Sequence, residues 1–370
     1  MTKLGVLFSV LGVGAGCIPA FAQKQLPNII VMLSDDQGWG DLGFTGNTFV
    51  QTPNIDRIAH EGTILENFYV CPVSSPTRAE FLTGRYHVRS GVNSTTGGGE
   101  RFNLGEKTIA EYFREAGYAT SLFGKWHSGT QYPYHPNARG FEEFYGFCSG
   151  HWGNYWNPVL EHNGEIISGE GFIIDDLTDK ALDYIRDHKE HPFFMFLSYN
   201  TPHSPMQVPD SWWNRVKDRT LSQRATFPEQ EDTTFTKAAL ALAENLDWNI
   251  GRVLSLLHSL DLEQETIVIY FSDNGPNSFR WNGGMKGRKG STDEGGVRSP
   301  FCIRWPGHIR KGAVETQLSG AIDLIPTLLG LAGIEYTPLR KLDGIDWGQR
   351  LLDEKAPAID RVLYSYWGGK

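Results

Sequence analysis

Two short acidic stretches, Asp35-Asp36 and Asp273-Asn274, offer three carboxylates and an amide oxygen. An all-oxygen set of that kind suits a hard divalent cation, calcium or magnesium rather than zinc. Either stretch alone would read as a turn or an N-cap. Both, however, end apolar, β-branched runs, Asn28–Ser34 and Thr266–Ser272, and that shared placement favours one joint metal site. Two more segments follow the same rule: Gly124-Lys125-Trp126-His127 comes after residues 119–123, and Asn200-Thr201-Pro202-His203 after Phe193–Ser198. A lone histidine there would be structural and a lone lysine solvated. Gathered beside a cation, they become candidates for acid, base and anion-binding work.

The gathering depends on the elements that carry these residues. The Asn28, Phe193 and Thr266 runs are apolar on both faces, which suits strands covered on two sides of a parallel sheet. Helical patterns lie between them. Residues 108–116 stop before Gly117, and Leu177, Ala181, Tyr184 and Ile185 share one helix face. Leu240, Leu246, Ile250, Val253, Leu254 and Leu257 line a long helix, and Leu324–Ala332 ends before Gly333. Strands alternating with helices predict an α/β sandwich with a mostly parallel sheet flanked by helices. In such sheets ligands collect beyond the carboxyl ends of the strands, where all four polar segments fall.

One further stretch, Ser74-Ser75-Pro76-Thr77-Arg78 running on to Leu82-Thr83-Gly84-Arg85, resembles the signature of the formylglycine-dependent sulfatases. That signature is Cys or Ser, then x-Pro-x-Arg, then a leucine and Thr-Gly. Only Ser74 fits the register, because Ser75 would need proline at Thr77 and Cys71 would need it at Val73. Pro53-Asn54-Ile55-Asp56 with Gly62, Gly124-Lys125-Trp126-His127, Pro202-His203 and Asp273-Asn274-Gly275 resemble further blocks of the family in order and spacing. So does the stretch from Lys289 through Glu294-Gly295-Gly296 to Arg298, and the likeness runs from about Pro27 to the last residues.

The resemblance implies an alkaline-phosphatase-like sandwich, one calcium ion, and Ser74 oxidised to formylglycine by a maturation enzyme of the serine-specific type. The hydrated aldehyde, a gem-diol, would be the nucleophile. Asp35, Asp36, Ser74, Asp273 and Asn274 would hold the metal. Arg78 and His127 would hold the gem-diol, with His127 as base, and Lys125, His203 and Lys289 would contact the sulfate, with His203 as proton donor to the leaving oxygen. Lys286 competes with Lys289. Such an enzyme would release sulfate from a sulfated carbohydrate or an aryl sulfate. Two rival readings stay open: a phosphatase or phosphonate hydrolase using Ser74 unmodified, and an inactive relative that only binds sulfated glycans.

Composition narrows the field. In 370 residues, 40% are hydrophobic, which is enough for one large core, and a net charge of -9 argues against nucleic acid as partner. An anionic substrate must then be drawn by a local basic pocket. Lys3, the apolar residues 4–13 and Ala20-Phe21-Ala22 read as a signal peptide over residues 1–22, with residues 23–370 as the catalytic domain. Export follows, and the serine-type resemblance implies a bacterium, hence the periplasm or cell surface. Cys17 hints at a lipoprotein, but Gly14 stands where a lipobox has a large aliphatic residue. No later run is long and apolar enough to span a bilayer. Cys71, Cys148 and Cys302 lack metal spacing and read as buried free thiols.

Residues 150–156 hold His151, Trp152 and Trp156 among glycines and polar groups. Such a loop suits stacking on a sugar, or equally packing on the core. The chain stops near Tyr364-Ser365-Tyr366-Trp367, where the resemblance places the strand leading into a smaller C-terminal subdomain, so that subdomain is expected to be largely absent.

Overall fold

A computed structural model describes residues 1–2 and 26–369 of the chain, so the signal segment falls almost wholly outside the described residues. In chain order its strands are β1 (Asn28–Ser34), β2 (Thr63–Leu65), β3 (Phe68–Tyr69), β4 (Ala119–Lys125), β5 (Glu143–Phe147), β6 (Val159–His162), β7 (Glu165–Ser168), β8 (Phe193–Ser198), β9 (Thr266–Ser272), β10 (Phe301–Arg304), β11 (Ala313–Glu315) and β12 (Ser319–Gly320). Ten of them form one sheet, ordered β11-β2-β10-β9-β1-β8-β4-β5-β6-β7, while β3 and β12 pair separately.

The centre of the sheet, β9-β1-β8-β4-β5, is wholly parallel. Its margins are not: β10 runs antiparallel to β9 and β2, and β6 to β5 and β7. Side chains alternate between faces, so β1 sends Ile29, Val31 and Leu33 into one core layer and Ile30 and Met32 into the other. The first layer is closed by α2 (Ser74–Thr83), α4 (Ile109–Glu115) and α8 (Leu324–Ala332), with the short α3 (His87–Ser90) beside α2. The second layer is closed by α1 (Pro53–Glu61), α5 (Ile173–Asp187) and the long α7 (Thr233–Ser259), on which α6 (Asp210–Val216) packs. Each large apolar side chain so buried contributes roughly 1.5–3 kcal/mol. The expected sandwich is therefore present.

Local signals behave as the sequence suggests. Thr108 caps α4 by accepting from Glu111 N, and Gly117 and Gly333 adopt positive φ after their helices. The fourth strand extends to Lys125, two residues beyond the apolar run. No helix among the described residues is long and apolar enough to cross a membrane. Cys71, Cys148 and Cys302 are buried free thiols. Residues 364–367 form no strand. No strand edge pairs with them, and the stretch is held by side chains, Tyr364 edge-on to Tyr86 and Tyr366 stacked on His87.

Glu80, on the buried α2, accepts from His87 N, and burial pushes its carboxyl up to about 8. The group is neutral in the fold at pH 7 but ionised in the unfolded chain above its ordinary value near 4.3. The folded state therefore binds the extra proton between those values, and stability falls as pH rises from about 5 through 8. Glu80→Gln is expected to flatten that part of a Tm-versus-pH curve, measured by calorimetry. An unchanged slope would show that another group carries it.

Candidate active site

The site begins with the geometry of α2. Ser74 is its first residue, and Pro76 in the first turn costs no hydrogen bond because the N–H groups there have no helical partner. Arg78 lies one turn on, and residues i and i+4 share a helix face. Its Nε thus reaches Ser74 Oγ at 3.2 Å, which explains the spacing of the motif. The helix directs the positive end of its dipole at this hydroxyl, and every residue of it is buried. Thr77 ties the helix to the neighbouring strand end by donating to Asp273 O at 2.6 Å.

Around Ser74 the strand ends converge as anticipated. Lys125 Nζ lies 2.9 Å from Ser74 Oγ and 2.7 Å from Asp35 Oδ2. Arg78 Nη2 pairs with Asp273 Oδ2 at 3.1 Å, and Ser74 Oγ donates to the same carboxylate. Lys289 Nζ sits 2.6 Å from Asp36 Oδ1, which also accepts from Asn274 Nδ2 at 2.9 Å. Burial works against the Asp35 carboxylate, yet the Lys125 ammonium, helped by His203 and Arg78, holds it below the ordinary range. Burial would lower the Lys289 amine, but Asp36 and Asp35 raise it on balance. Lys286, the competitor, is 82% exposed and pairs with Asp293, so only Lys289 points inward.

The donor set of this cluster fits a cation. Asp36 Oδ2 and Asn274 Oδ1 are buried without a hydrogen-bond partner, and an orphaned oxygen pair of this kind costs the fold unless something fills it. Asp35, Asp36 and His203 also bring ligand atoms within 4.8 Å of one another. The five sequence-nominated ligands, Asp35, Asp36, Ser74, Asp273 and Asn274, are all buried here. Three carboxylates, an amide and a hydroxyl fit calcium or magnesium. Three cations (Arg78, Lys125, Lys289) already balance the three carboxylates, so a divalent ion would leave the pocket net positive, as an anionic substrate needs.

Two of the six non-glycine residues with left-handed φ among the described residues also lie here. Asp36 and His127 both adopt left-handed φ, 64° and 59°, which L-residues rarely do outside special sites. The Asp36 backbone is pinned by its N–H to Asp273 Oδ1 (3.2 Å) and by Arg280 Nη2 donating to its carbonyl (2.9 Å). Arg280 is itself fixed by Asp41. Gly124, before Lys125, has φ 110° and leaves no room for a Cβ, which would lie 2.0 Å from Ser198 O.

The two histidines differ. His127 Nε2 donates to Thr95 O at 2.8 Å, leaving Nδ1 without a partner. Burial, then the Lys125 charge, holds its pKa well below the ordinary histidine value, so the imidazole is neutral with a free lone pair. His203 Nδ1 donates to Ser204 O at 2.7 Å, which turns Nε2 towards Asp36 Oδ2, 3.5 Å away. Each ring thus spends one nitrogen on a backbone carbonyl.

Some supporting residues were not evident from sequence. Ser198 accepts from Arg78 Nη1 at 2.6 Å and donates to Lys125 O, but in sequence it is only a strand end. Tyr155, in the aromatic loop, is fully buried and donates to His203 O at 2.6 Å. The nominated substrate residues separate. His151 stacks over His203, ring centres 6.2 Å apart, beside the site. Trp152 stacks on Phe147, while Trp156 is 47% exposed and leans on Phe172.

Comparison with known proteins gives the geometry a context. A family model described as Sulfatase matches residues 27–334. The N-acetylgalactosamine-6-sulfatase of Mus musculus is 32% identical over 402 residues, spanning 99% of this chain and 72% of that protein. The crystal structure of Ps i-CgsB in complex with k-i-k-neocarrahexaose superposes with a TM-score of 0.77 at 32% identity, covering 87% of this chain and 75% of that one. The PsFucS1 sulfatase from Pseudoalteromonas sp. gives a TM-score of 0.78 at 26% identity, covering 92% and 75%.

The orphaned oxygens yield a test. After dialysis against a chelator, adding calcium at a hundredfold excess over its Kd should stabilise the fold by about 2.7 kcal/mol, or roughly 4 °C in Tm. Asp36→Ala should abolish that increment, and an equal increment in the variant would place the ion elsewhere.

Proposed function

The chain belongs to the sulfatase family, and from that premise we propose that it hydrolyses sulfate esters of carbohydrates through a calcium ion and a formylglycine formed from Ser74. The observation that carries this reading is the convergence of Arg78, Lys125 and a buried carboxylate on one hydroxyl, Ser74 Oγ. A plain serine would attack sulfur once and be slow to release. The hydrated aldehyde supplies a second hydroxyl for that release, and the calcium ion would draw charge from the sulfate oxygens. A serine-specific maturation enzyme is then required as partner, and we extend the proposal to export through the N-terminal signal segment.

The remaining steps use the chain's own groups. Arg78 and Lys125, both fully buried, fix the attacking oxygen and oppose the charge arriving with the substrate. Lys289, 25% exposed, stands at the mouth where the sulfate must enter. His203 Nε2, held by Ser204 and Tyr155, is placed to give a proton to the departing sugar oxygen. His127 Nδ1, neutral and unpartnered, is placed to take the proton whose loss returns the aldehyde. Relatives support the carbohydrate substrate: one is named for N-acetylgalactosamine-6-sulfate cleavage, and Ps i-CgsB was crystallised with a neocarrahexaose.

Mass spectrometry of the tryptic peptide covering residues 58–78, from protein co-expressed with a serine-type maturation enzyme, should show the loss of two hydrogens at Ser74. That preparation should cleave 4-nitrophenyl sulfate far faster than 4-nitrophenyl phosphate; the reverse preference with intact serine would establish a phosphatase. His127→Gln should lower kcat by about 10²–10⁴ with little change in KM.

A further inference from the structure

Beside the catalytic cluster lies a second cavity of about 500 Å³ that none of the roles above uses. Lys289, whose ammonium meets Asp36 in the catalytic cluster, also lines this cavity. Arg288, Phe279 and Trp367 form much of the rest. The two basic side chains are consecutive in sequence and diverge. Lys289 reaches inward to Asp36, whereas Arg288 lies over the Phe279 ring, 4.8 Å from its centre. Positive-φ glycines on either side, Gly287 and Gly290, shape the turn that separates them.

Arg288 is held but not consumed. Its Nη1 donates to Asn277 O at 3.3 Å, which uses one of five N–H groups, and the Phe279 face orients the guanidinium plane. A guanidinium in that position is suited to a planar or tripodal anion. The acidic side chain in the cavity wall, Asp293, pairs with Lys286 at 3.0 Å and accepts from Ser291, so its charge is compensated locally. A basic cavity on a chain of net charge -9 is a local feature, not a share of the general field. Trp367 adds a flat apolar face of the kind on which sugar rings stack, while Phe279 orients Arg288.

We propose that Arg288, Phe279 and Trp367 form a subsite for a second anionic group on the sugar that carries the scissile ester or on its neighbour, so that the preferred substrate is a polyanionic glycan. The proposal rests on the sulfatase reading and specifies its substrate. The second anion is a sulfate or a carboxylate, the two groups a guanidinium fork binds in the same way.

The test uses the matured enzyme, wild type and Arg288→Gln, on three probes: a disulfated disaccharide, a monosulfated disaccharide bearing a uronate, and 4-nitrophenyl sulfate. The variant should raise KM about tenfold for one or both disaccharides, and this excess should shrink in 0.5 M salt, while kcat/KM for 4-nitrophenyl sulfate falls less than twofold. A loss on the disulfated probe alone identifies a sulfate subsite, and on the uronate probe alone a carboxylate subsite. Trp367→Ala should weaken both disaccharides without the salt effect. Equal losses on all three probes, or unchanged KM for both disaccharides, would overturn the proposal. If the wild type cleaves none of them, the sulfatase reading fails by itself. Calorimetric binding of the same disaccharides then decides the subsite: weaker binding to Arg288→Gln supports it, and equal or absent binding rejects it.

Discussion

Arg78 has no exposed surface, and its guanidinium touches Ser74, Ser198, the Lys125 carbonyl and the Asp273 carboxylate at once. A buried cation is tolerated only when every direction it faces is satisfied, and removing one partner from such a pair costs several kcal/mol. The central architecture meets that demand. Helix α2 supplies the arginine, β4 and β8 supply the carbonyl and hydroxyl, and Asp273, the residue after β9, supplies the counter-charge. Small shifts in any of these elements would strand a charge, so the same network that positions Ser74 also locks the packing of the sheet against its first helical layer.

The network also suits a divalent ion. Three cations meet three carboxylates, and two buried oxygens remain without partners. A divalent ion would remove both shortfalls together, satisfying the oxygens and tipping the pocket positive. The overall negative charge of the chain makes this local sign reversal necessary for any anionic substrate. The left-handed backbones of Asp36 and His127 fit the same picture, since both residues aim a side chain into the site from the first turn after a strand, and surrounding hydrogen bonds hold them there.

The divided fate of the aromatic loop shows how packing assigns roles that composition leaves open. Tyr155 is drawn into the core, where it braces His203, and Trp152 packs against the core through Phe147. Trp156 stays at the surface. Residues close in sequence were separated by which side of the loop met Phe147 and which met water.

Much of this protein was legible in its sequence because the controlling signals are local. Apolar runs on both faces specify buried parallel strands, Gly117 and Gly333 stop helices, and the Ser74-to-Arg78 spacing is one helical turn. The strand-end rule then places Asp35, Asp36, Lys125, His203, Asp273 and Asn274 at one edge without any knowledge of contacts. What sequence left open is decided by distances between segments far apart in the chain. Only the folded chain shows that Lys289 turns inward and Lys286 outward, that Ser198 completes the arginine cage, that His127 keeps Nδ1 free because Thr95 takes Nε2, and that Trp367 meets Arg288 across one cavity. Hydrophobic periodicity encodes which face of an element is buried; it carries no information about which polar atoms will meet once distant elements pack.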